Sequence, residues 1–131
     1  MEHDLTGQRS IAVFGCGGWG RNIVRTLEGL GAVRCVVDPS EKGRAEAKKL
    51  APNAAVYTTP QEALADAGVK GVMIATPAET HFEMANLALD AGKAVFVEKP
   101  LTVDLEEARL LVEKAGRLGR VLMVGQLLEY H

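Results

Sequence analysis

The 131-residue sequence predicts an open, doubly wound α/β sheet. Three observations carry that reading. Short apolar runs alternate with longer amphipathic stretches along the whole chain. A glycine-rich turn, Gly15-Cys16-Gly17-Gly18-Trp19-Gly20, stands where the first run hands over to the first stretch. No internal repeat, linker or low-complexity segment interrupts the alternation. Strand and helix in strict succession mean parallel strands joined by right-handed crossovers, so a mainly parallel six-stranded sheet in the order 3-2-1-4-5-6 is expected over residues 10–125.

Residues 10–14 form a continuous apolar run that stops at Gly15, as a strand buried on both faces does. A helix is expected over 19–30, with Ile23, Val24, Leu27 and Leu30 at helical spacing and Gly31 as its stop. The second strand, 33–37, closes at Asp38-Pro39, and Ser40 is placed to cap a helix running to Leu50. Residues 54–57 are the weakest strand, followed by a short helix that Pro60 opens and Gly68 closes. The fourth strand is 71–75, turned by Thr76-Pro77, and a helix follows over 79–90 with Gly92 after it. The fifth strand is 94–97. Asp104 or Thr102 caps a long helix in which Leu105, Ala108, Leu111, Val112, Ala115 and Leu118 keep one apolar face. Residues 121–124 complete the sheet. Residues 1–9 read as a polar, disordered leader, and 126–131 as a tail beyond the domain.

Composition narrows the function. Fifteen Lys+Arg against seventeen Asp+Glu leave a net charge of −2, which lacks the concentrated positive field that nucleic-acid binding needs. No apolar run is long enough to span a bilayer, and the N-terminus lacks a signal-peptide layout, so a cytoplasmic address with no membrane partner is the default. Cys16 and Cys35 have no partner at metal or redox spacing and read as reduced thiols; no metal site is expected.

Within the glycine-rich turn, Gly15 permits the sharp bend, Gly17 removes the Cβ that would meet a diphosphate, and Gly20 lets helix and strand approach. The amides at the helix start, around Gly18 and Trp19, would face the phosphates with the helix dipole behind them. An ordinary glycine-rich turn is the alternative, and the strand before and helix after it favour a dinucleotide. Asp38 ends the second strand, where a carboxylate accepts both ribose hydroxyls of adenosine and repels a 2′-phosphate. NAD is thereby favoured over NADP, although Ser40, Lys42 and Arg44 lie close by; a solvated Asp-Pro turn is the simpler reading. Thr76-Pro77 and Glu98-Lys99-Pro100 fall at the carboxyl ends of the fourth and fifth strands, the edge where such sheets bind ligands. From there Lys99 reaches the nicotinamide end and can donate or relay a proton, against the ordinary alternative of a solvated loop lysine. An X-Pro bond at this bend is a candidate for the cis form.

GCGGWG after the first strand, ATPAETH at 75–81, EKPL at 98–101 and VGQLLEYH at 124–131 together resemble the amino-terminal, Rossmann half of the Gfo/Idh/MocA family. The resemblance covers 10–131. It implies a nicotinamide-dependent oxidoreductase acting on a sugar, inositol or sugar nucleotide, with Gly15, Gly17, Gly20 and Asp38 holding the cofactor and Thr76, Pro77 and His81 lining its middle. It further implies that Glu98 and Lys99 hold the nicotinamide ribose and that Lys99 also touches the substrate hydroxyl. The ending GQLLEYH is most similar to members acting on surface polysaccharides and sugar nucleotides.

The family's second α/β domain, which the resemblance credits with the substrate pocket, the acid/base histidine and most of a homo-oligomer interface, is not in this sequence. The chain therefore reads as an excised domain, a fragment or a truncated form, with 126–131 as the start of the crossover and little turnover expected alone. The alternative is a non-catalytic NAD(H)-binding module for regulation or association, the latter through Leu127, Leu128 and Tyr130. Lys99 favours the enzyme, because binding a dinucleotide does not itself require a cation at the nicotinamide end. His131 at a terminus and His3 in the leader are not read as functional.

Overall fold

In a computed structural model, which describes residues 9–125, six parallel strands form one sheet in the order β3-β2-β1-β4-β5-β6. In chain order the elements are β1 (Ile11–Phe14), α1 (Gly18–Gly29), β2 (Val33–Val37), α2 (Glu41–Leu50), β3 (Ala55–Tyr57), α3 (Pro60–Leu64), β4 (Gly71–Ile74), α4 (His81–Asp90), β5 (Ala94–Glu98), α5 (Leu105–Leu118) and β6 (Leu122–Gly125). The expected sheet order is the one found. The expected tail and residues 1–8 of the expected leader lie outside the described residues, whereas Arg9, expected to be disordered with them, is tied to the domain, its Nη1 donating to Glu28 Oε1 at 2.8 Å and to the Val33 carbonyl at 3.1 Å.

The side-chain period of two divides the core between the two faces of the sheet. Val13 of β1 and Val33 and Val36 of β2 pack under α1 and α2 with Ile23, Val24 and Ala47. Ala12 and Phe14 face the other way and join Val72, Ile74, Val95 and Val97 beneath Leu89 of α4 and Leu111 of α5. Strand β1 is therefore buried on both sides, which is why its sequence is apolar without alternation.

Two helices begin or end where periodicity alone did not place them. Helix α3 stops at Leu64 instead of running to Gly68. The Asp66 carboxylate accepts from the Gly68 N–H at 2.8 Å and from Arg34 Nε at 2.7 Å, a side-chain turn that competes with further helix. The Arg34 guanidinium, and then that N–H, hold the Asp66 carboxyl below its usual range. Helix α4 starts at His81, after a 3₁₀ turn over Ala78–Thr80. The Thr80 N–H donates to the Pro77 carbonyl at 2.9 Å, and its hydroxyl lies 2.7 Å from the same oxygen and 2.6 Å from the Thr76 hydroxyl. Other ends fall as expected: Ser40 Oγ accepts from the Gly43 N–H at 2.9 Å to cap α2, and Asp104 accepts from the Glu106 N–H at 2.8 Å to cap α5.

The turn after β1 demands glycine twice, at Gly15 by its approach to the end of β4 and at Gly20 by the approach of α1 to the turn. Gly15 has φ +98, and a Cβ there would lie 2.9 Å from the Ala75 carbonyl oxygen. A Cβ at Gly20 would lie 2.0 Å from the Gly15 carbonyl oxygen, a backbone atom that cannot step aside. Gly20→Ala is accordingly expected to destabilise the fold by about 3 kcal/mol or more, read as a lower denaturation midpoint in urea.

Candidate functional site

A crevice of about 740 Å³ opens at the carboxyl edge of the sheet. Gly15, Gly17 and Gly18 line it from the turn after β1, and Asp38 and Pro39 from the turn after β2. Thr58, Thr59, Pro60 and Gln61 close it beyond β3, and Ala75, Thr76 and Pro77 beyond β4. The wall is completed by Thr80, Glu83, Met84 and Leu87, whose spacing puts them on one face of α4 and the turn before it. The last two groups were not singled out from the sequence, apart from Thr76 and Pro77. The strand-end rule could have found 58–61, and helical spacing from Thr80 could have found the α4 face.

Gly17 is the N-cap of α1, extended at φ −104 and ψ −178. No side chain caps this helix and no acidic residue occupies its first turn, so side chains leave its leading N–H groups unspent. A Cβ on Gly17 or Gly18 would meet nothing within 4 Å. Open space above uncapped amides at the positive end of a helix suits a diphosphate. Trp19 and Gly20 follow within α1, Gly20 buried against the Gly15 carbonyl rather than facing the crevice.

Asp38 lines the same crevice while being only 7% exposed. Its Oδ1 accepts from the Ser40 N–H at 2.8 Å and the Ser40 hydroxyl at 2.7 Å, and its Oδ2 accepts from the Cys16 N–H at 2.7 Å. Oδ1 is saturated by Ser40, so Oδ2 is the atom with acceptor capacity remaining. Gly43 makes room for this carboxylate: a Cβ there would fall 2.3 Å from Asp38 Cγ. Arg44 Nη1 donates to the carbonyls of Asp38 and Pro39 at 3.0 and 2.9 Å, and Lys42 is exposed. Beyond β3, Glu62 Oε1 accepts from the Thr58 and Thr59 N–H groups at 3.1 and 3.0 Å, which fixes the turn opposite Asp38.

The remaining expected residues lie apart from the crevice wall. Glu98 ends β5 half-buried, and Lys99 beside it is exposed, its N–H donating to the Gly125 carbonyl at 2.9 Å. The Lys99–Pro100 bond is cis. His81, expected along the cofactor's middle, is 2% exposed, with Nδ1 2.7 Å from the Pro100 carbonyl and Nε2 2.9 Å from the Thr76 carbonyl. Both ring nitrogens are spent on the chain itself, so the ring offers no polar atom to a ligand.

The sequence profile of the Gfo/Idh/MocA oxidoreductase family, NAD-binding Rossmann fold, matches residues 9–126. The chain belongs to this family. As a Gfo/Idh/MocA domain it is an NAD(P)-binding Rossmann domain of oxidoreductases, and similar proteins fill in the picture. Scyllo-inositol 2-dehydrogenase (NAD(+)) of Bacillus subtilis is 40% identical over 130 residues, covering 95% of this chain and 36% of the relative. GenD2 from gentamicin A biosynthesis, solved in complex with NAD, superposes with a TM-score of 0.83 at 38% identity over 90% of this chain and 34% of its own. UDP-N-acetylglucosamine 3-dehydrogenase GnnA of Acidithiobacillus ferrooxidans gives a TM-score of 0.81 at 31% identity over 88% of this chain and 36% of its own. The chain thus spans about a third of the length of the relatives it matches.

Among the described residues no helix is long and apolar enough to cross a membrane, and no group of three or more His, Cys, Asp or Glu would hold a metal ion. Both cysteines of this Gfo/Idh/MocA domain are free and buried. Burial, and then the Asp38 carboxylate, push the Cys16 thiol up to about 11; burial pushes Cys35 up to about 12. The thiolate is the reactive form. Neither cysteine should react with a disulfide reagent at about pH 8 until denaturant is added; rapid titration of Cys16 in the folded chain would show that the glycine-rich turn opens.

Proposed function

We propose that this domain binds NAD in preference to NADP and serves the nicotinamide chemistry of an oxidoreductase whose substrate is a sugar, inositol or sugar nucleotide. The observation that carries the reading is the pairing, in one crevice, of an unfilled surface at Gly17 over uncapped helix amides with the Asp38 carboxylate alongside. Gly15, Gly17, Gly18 and the backbone of Trp19 would cradle the diphosphate. Asp38 Oδ2 would accept from an adenosine ribose hydroxyl; with Oδ1 saturated, the expectation of two hydroxyls narrows to one direct bond at Oδ2. The same negative charge repels a 2′-phosphate. Thr76 and Pro77 would border the middle of the cofactor.

When bound, the nicotinamide supplies a hydride acceptor or donor for a carbinol or carbonyl. Glu98 and Lys99, following β5 at the same edge, would hold the nicotinamide ribose, and the Lys99 ammonium would also steady the substrate oxygen and move its proton. The inositol and sugar-nucleotide dehydrogenases among the relatives support that substrate class. Those relatives are far longer than this chain, and turnover is assigned to the domain together with the remainder that they carry. A homo-oligomer in the cytoplasm belongs to the same reading.

A second reading, association without catalysis, is favoured by one feature. Edge strand β6 and the residue before it leave Val121, Met123 and Val124 exposed at 56%, 57% and 44%. The tail residues Leu127, Leu128 and Tyr130 lie outside the described residues. Concentration-dependent sedimentation of the chain without NAD response would favour this reading over the first.

Calorimetric titration separates ligand contact from folding. Gly17→Ala should keep the urea midpoint of the native chain, since its backbone is extended and a Cβ meets nothing, yet weaken NAD at least tenfold by occupying the diphosphate surface. Unchanged NAD affinity would overturn the diphosphate placement. Asp38→Asn should keep the acceptor at one oxygen but remove the charge, narrowing the preference for NAD over NADP by about tenfold; an equal change for both cofactors would remove the ribose role.

A further inference from the structure

His81 occupies a position that the cofactor reading leaves unexplained. It is one of three buried polar or charged side chains among the described residues, with Asp38 and Lys93. Lys93 has its ammonium on the Asp66 carbonyl at 3.2 Å, and Asp38 has its three donors. The His81 ring differs from both, because its two nitrogens face two carbonyl oxygens, Pro100 at 2.7 Å and Thr76 at 2.9 Å. A carbonyl oxygen only accepts, and a neutral imidazole has a single N–H to give. The ring thus sits between two acceptors of the chain and bridges the turns they belong to.

The two carbonyls belong to different turns. Thr76 follows β4 and lines the crevice, while Pro100 follows β5 and is next to Lys99. On its other side the β5 turn is held by the Lys99 N–H donating to Gly125 of β6. The ring therefore joins the segment that carries Lys99 to the crevice wall, while Leu101 anchors the same segment to the core. We propose that His81 is a positioning residue whose ring latches the turn bearing Lys99 to the turn bearing Thr76. This rests on the cofactor reading above only for its consequence, the placement of Lys99 toward the nicotinamide half; the latch itself is a property of the chain alone.

The test begins without ligand. In ¹H–¹⁵N spectra of the 131-residue chain, His81→Asn should shift the amides of Ala78 and Leu101, each close to one of the two carbonyls in sequence. A variant that leaves both amides unmoved overturns the latch. The second arm uses His81→Asn, whose amide can reach at most one of the carbonyls. NADH affinity should fall about fivefold, the worth of roughly one hydrogen bond, while ADP-ribose, which lacks the nicotinamide half, stays within about twofold. Equal loss for the two ligands would reduce His81 to a merely structural residue and overturn the positioning role. If the unaltered chain bound neither NAD nor NADH, the cofactor reading would fall while the amide spectra still decided the latch.

Discussion

One buried carboxylate holds one end of the crevice together. Asp38 receives an N–H from the glycine-rich turn after β1 and both donors of Ser40 at the start of α2. A charge with so little exposure is tolerable only because it is hydrogen-bonded at both oxygens. The geometry in turn dictates Gly43, since no other residue leaves space for the carboxylate beneath the first turn of α2. Ser40 serves twice, donating to Asp38 and accepting from the Gly43 N–H. Strand ends, helix start and glycine-rich turn are thus placed relative to one another before any ligand arrives, which lowers the ordering cost of binding.

Most of this was legible in the sequence, for physical reasons that also mark where legibility stops. Strands buried on both faces announce themselves as apolar runs, and a turn of glycines between run and amphipathic stretch identifies β1, from which the sheet order follows. Helix ends were misplaced at α3 and α4 because Asp66 and Thr80 make local hydrogen bonds that apolar spacing does not register. Gly17, Asp38, Thr76 and Pro77 were recognised because they stand at strand ends in a known pattern. Gln61, Glu83 and Leu87 were not, because they reach the crevice through the packing of α3 and α4 on neighbouring strands. His81, which the resemblance placed along the cofactor's middle, is buried with both ring nitrogens against carbonyls of the chain, partners that a family pattern does not register.

The two halves of the carboxyl edge are built differently. Around Asp38 every turn is tied by side-chain bonds, from Ser40 on one side to Glu62 on the other. Around Lys99 the turn is joined by its own N–H to Gly125 and by Pro100 to His81, and Leu101 packs on the core, with the ammonium itself on an exposed residue. The exposed lysine keeps four rotatable bonds of freedom until something fixes its head group. The two halves of the edge are therefore fixed by different means.

The glycines of the first turn show a similar contrast on a smaller scale. Gly20 is required by the protein, because the Gly15 carbonyl fills the place a side chain would take. Gly17 is not required by the protein at all: its backbone is extended, its surroundings are empty, and any small side chain would fit. Gly29 and Gly116 are equally unhindered, but of these three only Gly17 lines the crevice, where a missing side chain leaves room for something outside the chain. The space above Gly17 adjoins unspent amides on one side and a carboxylate on the other, so what needs it carries negative charge at one point and a hydroxyl donor nearby. A dinucleotide joins those two features at that spacing through its diphosphate and ribose, and a free phosphate or a simple sugar presents only one of them.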